Sequence, residues 1–323
     1  GTGEGRLSSL ENLIFSLNAT LPIFLTMLLG LLFRYLGLMN ADFVAKLNRF
    51  VFVAAIPALV FQDISSVDVR KSWDGGFVLF CFLATLVSIT VIALLARLLV
   101  EEEIRGEFVQ ASYRSSAAIL GIAFIQNIYG SSGMAPLMIV GTVPLYNAAA
   151  VVILSLMKPG RKKLDRKLLL KTAKGIVTNP IILGILAGIL WSVLRIPQPE
   201  IMQKTVKNVA VLATPLGLMA MGASFEGKKA LAKLRPSVLA SLIKLVVLAA
   251  VFLPLAVRLG YTKERLIAIL VMLGSATTVS CFVMAKNMGH EGVLTSSTVM
   301  LTTFFSAFTL TGWLFLLKTL GLV

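Results

Sequence analysis

The sequence is poor in charged residues and in the side chains that usually serve catalysis or metal binding. Only 14% of its 323 residues are charged, whereas soluble domains carry about 25%. It has one histidine and two cysteines, and both cysteines lie inside apolar stretches, so we expect neither a disulfide framework nor a metal site. Hydrophobic residues make up 57% of the chain, which excludes a disordered chain and an ordinary soluble enzyme. The apolar runs are continuous, unlike the alternating segments of about 10 residues in a membrane β-barrel. A polytopic helical membrane protein is therefore expected.

Acidic residues are scarce relative to basic ones, with 15 Asp and Glu against 30 Lys and Arg. Most of the positive charge lies in short segments between apolar runs, which is typical of loops that face anionic cytoplasmic lipid. We therefore expect these charges to contact the lipid bilayer and not nucleic acid. The sequence also lacks a nucleotide-binding Gly-rich loop and a nucleophile–base pair, so we expect no cofactor and no enzymatic activity.

Ten apolar runs are long enough for membrane-spanning helices, which need about 20 mostly apolar residues. The runs cover residues 14–36, 44–64, 76–99, 108–128, 134–157, 176–195, 204–224, 236–258, 265–287 and 292–319. The longest polar connection follows the fifth run. The predicted organisation is an N-terminal tail (1–13), a first five-helix repeat (14–157), a basic cytoplasmic loop (158–175) and a second five-helix repeat (176–323).

The two repeats match each other at an ungapped offset of 158 residues. The matching pairs include Pro22 and Pro180, Gly30 and Gly188, and Pro57 and Pro215. Because each repeat has an odd number of spans, the second enters the membrane from the opposite side. The predicted fold is thus an all-α polytopic membrane protein with ten transmembrane helices in two inverted five-helix repeats, as in many secondary transporters. Lys and Arg are concentrated in the loops after runs one, three, five, seven and nine, so we expect both termini outside.

Runs four and nine contain small, hydroxyl-rich stretches at corresponding places, Ser112–Ala123 and Gly274–Cys281. Paired interruptions in the two halves indicate a transporter binding site, where crossing broken helices point their positive N-terminal ends at an anion. Gly121, Ala123 and Cys281 are the expected crossover positions. The alternative is that these small residues only let helices pack closely.

The expected substrate site gathers polar residues from both broken runs and from run two. Arg114 either binds a carboxylate by a bidentate hydrogen bond or extends to the cytoplasmic end of its helix. A kink at Pro57 would bring Gln62 and Ser65 to the same cavity. The predicted hydroxyl ligands are Ser115, Ser116, Thr277, Thr278 and Ser280.

Three further polar residues, Lys244, Asn147 and His290, have open or minor roles. Lys244 either reaches a polar cavity or pairs with Glu226 or Asp63, two acids that we expect at the periphery. Asn147 either faces the cavity or hydrogen-bonds a neighbouring helix. His290 is expected to be a solvent-exposed loop residue.

Several segments resemble the auxin efflux carrier family, which includes the plant PIN proteins. They are Leu47–Val51, Ile56–Phe61 and Ile64–Ser66 in run two, Gly121–Ile122 in run four, Asn179–Pro180 and Gly188–Ser192 in run six, and Phe282–Lys286 in run nine. The resemblance implies a scaffold domain, a transport domain that moves as an elevator, a homodimer, and export or exchange of small organic anions such as auxin or malonate-like dicarboxylates. The short cytoplasmic loop is similar to that of bacterial members, which implies the inner (plasma) membrane.

The sequence departs from the family pattern at the breaks. The family usually has proline at both, where this chain has Ala123 and Cys281, and asparagine in the fourth span, where it has Ser116. These departures suggest that glycine and hydroxyl groups hold the crossover instead. Two alternative functions stay open: a sodium-coupled organic anion symporter of the bile-acid type, and a non-transporting membrane receptor or assembly protein on the same fold.

Overall fold

A computed structural model describes residues 2–68, 73–130, 133–161, 163 and 165–323. Within these residues the chain is helical, apart from turns and one isolated β-bridge. The helices are α1 (Thr2–Tyr35), α2 (Ala41–Phe50), α3 (Ile56–Ser65), α4 (Gly75–Leu99), α5 (Arg105–Tyr113), α6 (Ala117–Tyr129), α7 (Ala135–Leu156), α8 (Arg166–Val177), α9 (Pro180–Leu194), α10 (Glu200–Ala210), α11 (Ala213–Ala223), α12 (Gly227–Ala232), α13 (Leu234–Leu242), α14 (Leu248–Arg258), α15 (Lys263–Gly274), α16 (Ser280–Asn287) and α17 (Val293–Thr319).

Apolar helices dominate the molecule. Among the described residues, seven helical segments are long and apolar enough to cross a membrane, and the pair α8–α9, bent by 52°, makes up to eight. Large apolar side chains such as Leu25, Leu32 and Phe308 are about half exposed, which suits surfaces that face lipid. The chain is therefore an integral, polytopic helical membrane protein.

Two predicted polar segments are more helical than expected. Residues 2–13, predicted as a tail, continue α1, since no helix-breaking residue separates them from the first span. The basic segment 158–175 contains most of α8, which begins where the Asp165 side chain accepts a hydrogen bond from Leu168 N at 2.7 Å. That N-cap offsets the missing bonds of the first turn, and Pro180 then starts α9 in a new direction.

In the second and seventh apolar runs the regular α-helix is interrupted just before a proline; a kink at these positions stays a prediction. A π-helical turn over Val51–Ala55 precedes Pro57, and α10 ends two residues before α11, whose first turn contains Pro215. Proline has no N–H for the helical bond and displaces the preceding turn. A second π-helical turn, Ile243–Val247, joins α13 to α14.

The helices of the fourth and ninth apolar runs are each divided by a short non-helical segment. The first break, Arg114–Ser116, separates α5 from α6, and the second, 275–279, separates α15 from α16. The breaks lie side by side, where Ser115 and Thr277 form an antiparallel β-bridge. Both are narrower than predicted: Gly121 and Ala123 lie within α6 and Cys281 within α16. Each break supplies hydrogen bonds to the other, so only a few residues in each are non-helical.

The helices can be described as two groups, and both breaks belong to the second. In the first group α1 packs on α11 and α3 on α9, with glycines at the contacts; a Cβ on Gly222 would lie 1.9 Å from the Met27 carbonyl oxygen. The second group contains α4 to α7 and α13 to α17, and most of these helices bury a large apolar cluster around Phe108, Met138 and Leu270. The buried apolar side chains of α16 pack with the first group instead, and α17 also packs on α1. Helices of both groups line a cavity that adjoins the breaks.

Candidate functional site

The two breaks hold each other in place by main-chain bonding. Ser116 N donates to the Ala276 carbonyl oxygen at 2.9 Å, and Thr277 N donates to the Thr302 hydroxyl of α17 at 3.0 Å. Unwound backbone among buried apolar helices needs such partners, because an unpaired buried N–H or C=O group is costly.

A hydroxyl from each break closes the helix end of the other. Ser115 Oγ donates to the Met272 carbonyl in the last turn of α15 at 2.6 Å, and Thr277 Oγ1 donates to the Ala111 carbonyl in the last turn of α5 at 2.8 Å. Carbonyls in the last turn of a helix lack an intrahelical donor. This reciprocal bonding gives a physical reason why the breaks form without proline at Ala123 and Cys281.

A cavity of about 310 Å³ adjoins the breaks, within the range of small-molecule sites, about 300–1,000 Å³. Its walls come from α1, α3, α6, α7, α11, α16, α17 and both breaks. The polar residues that line it are Thr20, Asp63, Arg114, Ser115, Ser116, Tyr146, Asn147, Thr214, Thr277, Thr278, Ser280 and Thr303.

Arg114 is buried in the wall of this cavity, with 4% of its surface exposed. Its guanidinium donates to Gln110 Oε1 at 3.1 Å and to Asn147 Oδ1 at 2.5 Å, and it contacts the Met284 sulfur. No described carboxylate lies within ion-pair distance of it. The guanidinium is therefore held inside the helix bundle and does not extend to the cytoplasmic end, as the alternative prediction had it. All of its described partners are neutral.

Neighbouring polar groups fix the position of this guanidinium. Asn147 does both things that the sequence leaves open: it lines the cavity and bonds to other groups, donating to the Val143 carbonyl at 2.9 Å while accepting from Arg114. Gln110, one helical turn before Arg114, donates to the Cys281 carbonyl at 3.2 Å. Its spacing of four residues from Arg114 was a sequence signal for this contact.

Five hydroxyls that line the cavity form no hydrogen bond to other described residues: those of Ser116, Thr214, Thr278, Ser280 and Thr303. Ser116 precedes α6 and Ser280 begins α16, so they surround the N-terminal ends of two helices that start at the cavity wall. Helix N-termini carry partial positive charge and unpaired N–H groups, which favour an anion. Ser115 and Thr277, in contrast, use their hydroxyl hydrogens to close the breaks.

Gln62 and Ser65 do not line the cavity, contrary to the prediction, and Asp63 does. The cavity face of α3 consists of Ile56, Leu59, Val60 and Asp63. This spacing places the four residues on one face of an α-helix. Gln62 and Ser65 lie on other faces of the same helix. The same spacing in the sequence could have identified Asp63 as a cavity residue, whereas the sequence prediction places it at the periphery.

Lys244 is fully buried but lies outside this cavity. Its ammonium donates to the Leu273 carbonyl at the end of α15, where a cation complements the negative end of the helix dipole. Neither predicted acid is its partner, since Glu226 pairs with Lys229 at 3.1 Å. The π-helical turn that contains Lys244 directs it into the helix bundle.

Sequence reasoning wrongly expected one buried ionisable residue, His290, at the surface, and it did not identify another, Glu107. His290 is 4% exposed, because Nε2 bonds to the Leu154 carbonyl at 2.9 Å and the ring packs against Gly106; burial lowers its pKa. Glu107 of α5 is 1% exposed and accepts from the Thr295 hydroxyl at 2.7 Å. It stabilises the first turn of α17.

Comparisons with known proteins identify the family of this chain. A family model described as "Membrane transport protein" matches residues 15–314. The chain belongs to this family, the auxin efflux carriers. A relative from Rhizobium meliloti (strain 1021), named "Putative malonate transporter", is 26% identical over 307 residues, covering 93% of this chain and 95% of that protein. The membership confirms the resemblance and makes this auxin efflux carrier family member a transporter, not an enzyme.

Proposed function

We propose that the protein transports small organic anions, and that malonate-like dicarboxylates are its substrate class. The observation that carries this proposal is Arg114, a buried cation whose described partners are all neutral. A charge inside a span costs about 2.5–3.5 kcal/mol on insertion scales, and an anion in the adjoining cavity would offset that cost.

A dicarboxylate suits the arrangement of donors. One carboxylate would take the bidentate bond of the Arg114 guanidinium. The other would accept from Ser116, Thr278 and Ser280 at the N-terminal ends of α6 and α16. The "malonate" in the name of the Rhizobium meliloti relative supports the same class.

The transport mechanism that we propose is an elevator built from two inverted repeats. The order of elements supports it: each half has a first span, a span interrupted before a proline, a third span, a broken pair and a long final helix. The α1–α11 and α3–α9 group would be the scaffold, and the group that contains α5, α6, α15 and α16 would move the cavity across the membrane. The ten-span topology, termini outside, inner-membrane location and homodimer are parts of the same proposal, supported by the charge pattern and the family resemblance.

Counterflow in liposomes tests the transport proposal. Purified protein is reconstituted with unlabelled malonate inside, and uptake of labelled malonate is followed with and without sodium. We expect uptake that unlabelled dicarboxylates inhibit more strongly than acetate, and that is independent of sodium. Absence of counterflow with malonate, succinate and indole-3-acetate would overturn the proposal, whereas strict sodium dependence would favour the bile-acid type of symporter.

A further inference from the structure

The cavity contains an acidic side chain that the proposed anion site does not use. Asp63 lies on the cavity face of α3, in the second span. It forms no hydrogen bond or ion pair with any other residue that the structure describes. An ionisable residue inside a span is costly and usually functional, so this unpartnered carboxyl group needs a role.

The elements packed against α3 provide no counter-charge at this position. Helix α9 has no titratable side chain, and α7 contributes Tyr146, whose hydroxyl donates to the Met272 carbonyl at 2.7 Å. The titratable residues of α10 are Glu200, Lys204 and Lys207, all exposed, and Lys204 pairs with Glu200. Arg114 lines the same cavity, and its guanidinium is bonded to the neutral side chains of Gln110 and Asn147.

Charge balance then links the two cavity residues. With Asp63 ionised, the formal charges of Asp63 and Arg114 cancel, and an anion would enter a cavity of no net charge beside a carboxylate. With Asp63 protonated, the cavity is left with the single positive charge of Arg114. Because charges interact strongly in a site that is poorly exposed to water, the anion and the proton should favour each other's binding.

We propose that Asp63 binds a proton together with the substrate anion, so that the protein is an anion–proton symporter. This inference rests on the proposed function, since it assigns the coupling ion of the same site. The proton comes from water on the side from which the anion enters, adds to a carboxylate oxygen, and leaves on the other side when the anion has dissociated.

A neutral variant separates coupling from transport. Asp63→Asn resembles the protonated state, so counterflow of malonate should persist. An imposed pH gradient, acidic on the side of labelled malonate, should drive accumulation by the unmodified protein but not by the variant. Asp42→Asn is the matched control, because Asp42 is an exposed acid of the same span, paired with Lys46, and it should keep the response to the gradient.

Proton uptake in detergent solution provides a second test that does not depend on the variant. At a pH where malonate is fully ionised, a pH indicator should report about one proton bound per malonate for the unmodified protein. Malonate affinity should fall about tenfold for each pH unit over the range in which Asp63 is ionised, the slope expected for one linked proton. Asp63→Asn should show neither effect.

Several results would overturn the coupling inference while leaving anion transport intact. They are counterflow without any response to a pH gradient, malonate binding without proton uptake, or accumulation driven by a sodium gradient instead. Asp63→Asn protein that is monodisperse but inactive in counterflow would also contradict it. Absence of counterflow in the unmodified protein would instead mean that the proposed function itself is wrong.

Discussion

At the scale of single residues, Arg114 is the feature on which the functional proposal depends. The sequence identified it because a charge inside an apolar run is rare, but it could not decide between snorkelling and a carboxylate partner. The structure shows the guanidinium buried and bonded to Gln110 and Asn147. Neutral partners orient a guanidinium without compensating its charge.

Replacing Arg114 with Gln should weaken anion binding and leave folding intact. The loss of a charged hydrogen bond costs about 1.5–3 kcal/mol, which corresponds to roughly 10- to 150-fold in the malonate dissociation constant. Isothermal titration of the purified variant measures it. Arg114→Lys should recover only part of the affinity, because an ammonium cannot make the bidentate bond.

Arg34→Gln is the matched control for this measurement. Arg34 also donates to carbonyl oxygens, those of Ala223 and Phe225, but it lies away from the cavity. If Arg34→Gln weakened malonate binding and Arg114→Gln did not, the anion would bind near the basic end of α1 and not at the breaks.

The site residues show what sequence alone could predict at this scale. Hydroxyl-rich stretches in an apolar background drew attention to Arg114 and five hydroxyl residues, and all six line one cavity; their role in binding stays a prediction. The sequence could not show that the hydroxyls of Ser115 and Thr277 donate to carbonyl groups at the ends of α15 and α5. It misjudged Asp63, because exposure depends on which face of α3 meets the cavity.

At the scale of elements, the two breaks are stabilised by each other. The ungapped offset pairs Ser115 with Leu273, whereas in space Ser115 faces Thr277. Because α15 has 12 residues and its counterpart α5 has 9, helix length accounts for three of the four residues between Leu273 and Thr277. Similarity between the two halves of the sequence located both breaks. It could not predict which residues of the two breaks face each other, because that depends on helix lengths that a constant offset does not represent.

Removing the closing hydroxyls should destabilise the protein. Thr277→Val leaves the buried Ala111 carbonyl without its donor. Ser115→Ala removes one of the two donors of the Met272 carbonyl and leaves the Tyr146 hydroxyl, so its effect should be smaller. An unsatisfied buried group costs about 1–3 kcal/mol, and thermal unfolding in detergent should show it as a lower midpoint. Thr85→Val is the control: the Cys81 carbonyl that Thr85 contacts keeps its helical partner, so the midpoint should hardly change. Equal effects in all three variants would contradict the closing role.

The close approach of α1 and α11 depends on glycine. A Cβ at Gly222 would lie 1.9 Å from the Met27 carbonyl oxygen, so Gly222→Ala must separate the helices. Overpacking of this kind costs about 1–3 kcal/mol. Gly312→Ala in α17, where a Cβ meets nothing within 4 Å, should be neutral or slightly stabilising. The comparison is made by thermal unfolding, and a neutral Gly222→Ala would contradict this packing.

At the scale of the whole molecule, hydrophobic run length predicted a polytopic membrane protein because bilayer thickness fixes helix length. It did not predict that residues 2–13 continue α1 or that α8 forms, since polar residues can be helical outside the membrane. The arrangement of the two helix groups also depends on side-chain fit that composition does not encode.

The elevator proposal predicts that joining the two groups stops transport. A Cβ at Gly217 of α11 would lie 3.3 Å from Cγ2 of Val283 in α16, close enough for a disulfide between Gly217→Cys and Val283→Cys. Oxidation of the double variant should abolish malonate counterflow, and reduction should restore it. The two single variants serve as controls. Full counterflow by the cross-linked protein would contradict movement of α16 past α11.

The most direct test of the account is the position of the anion itself. An experimental density map of the protein with bound malonate should show one carboxylate on the Arg114 guanidinium and the other between the N-terminal ends of α6 and α16. Malonate located at the basic end of α1, or in the cavity without contact to Arg114, would contradict the assignment of this site.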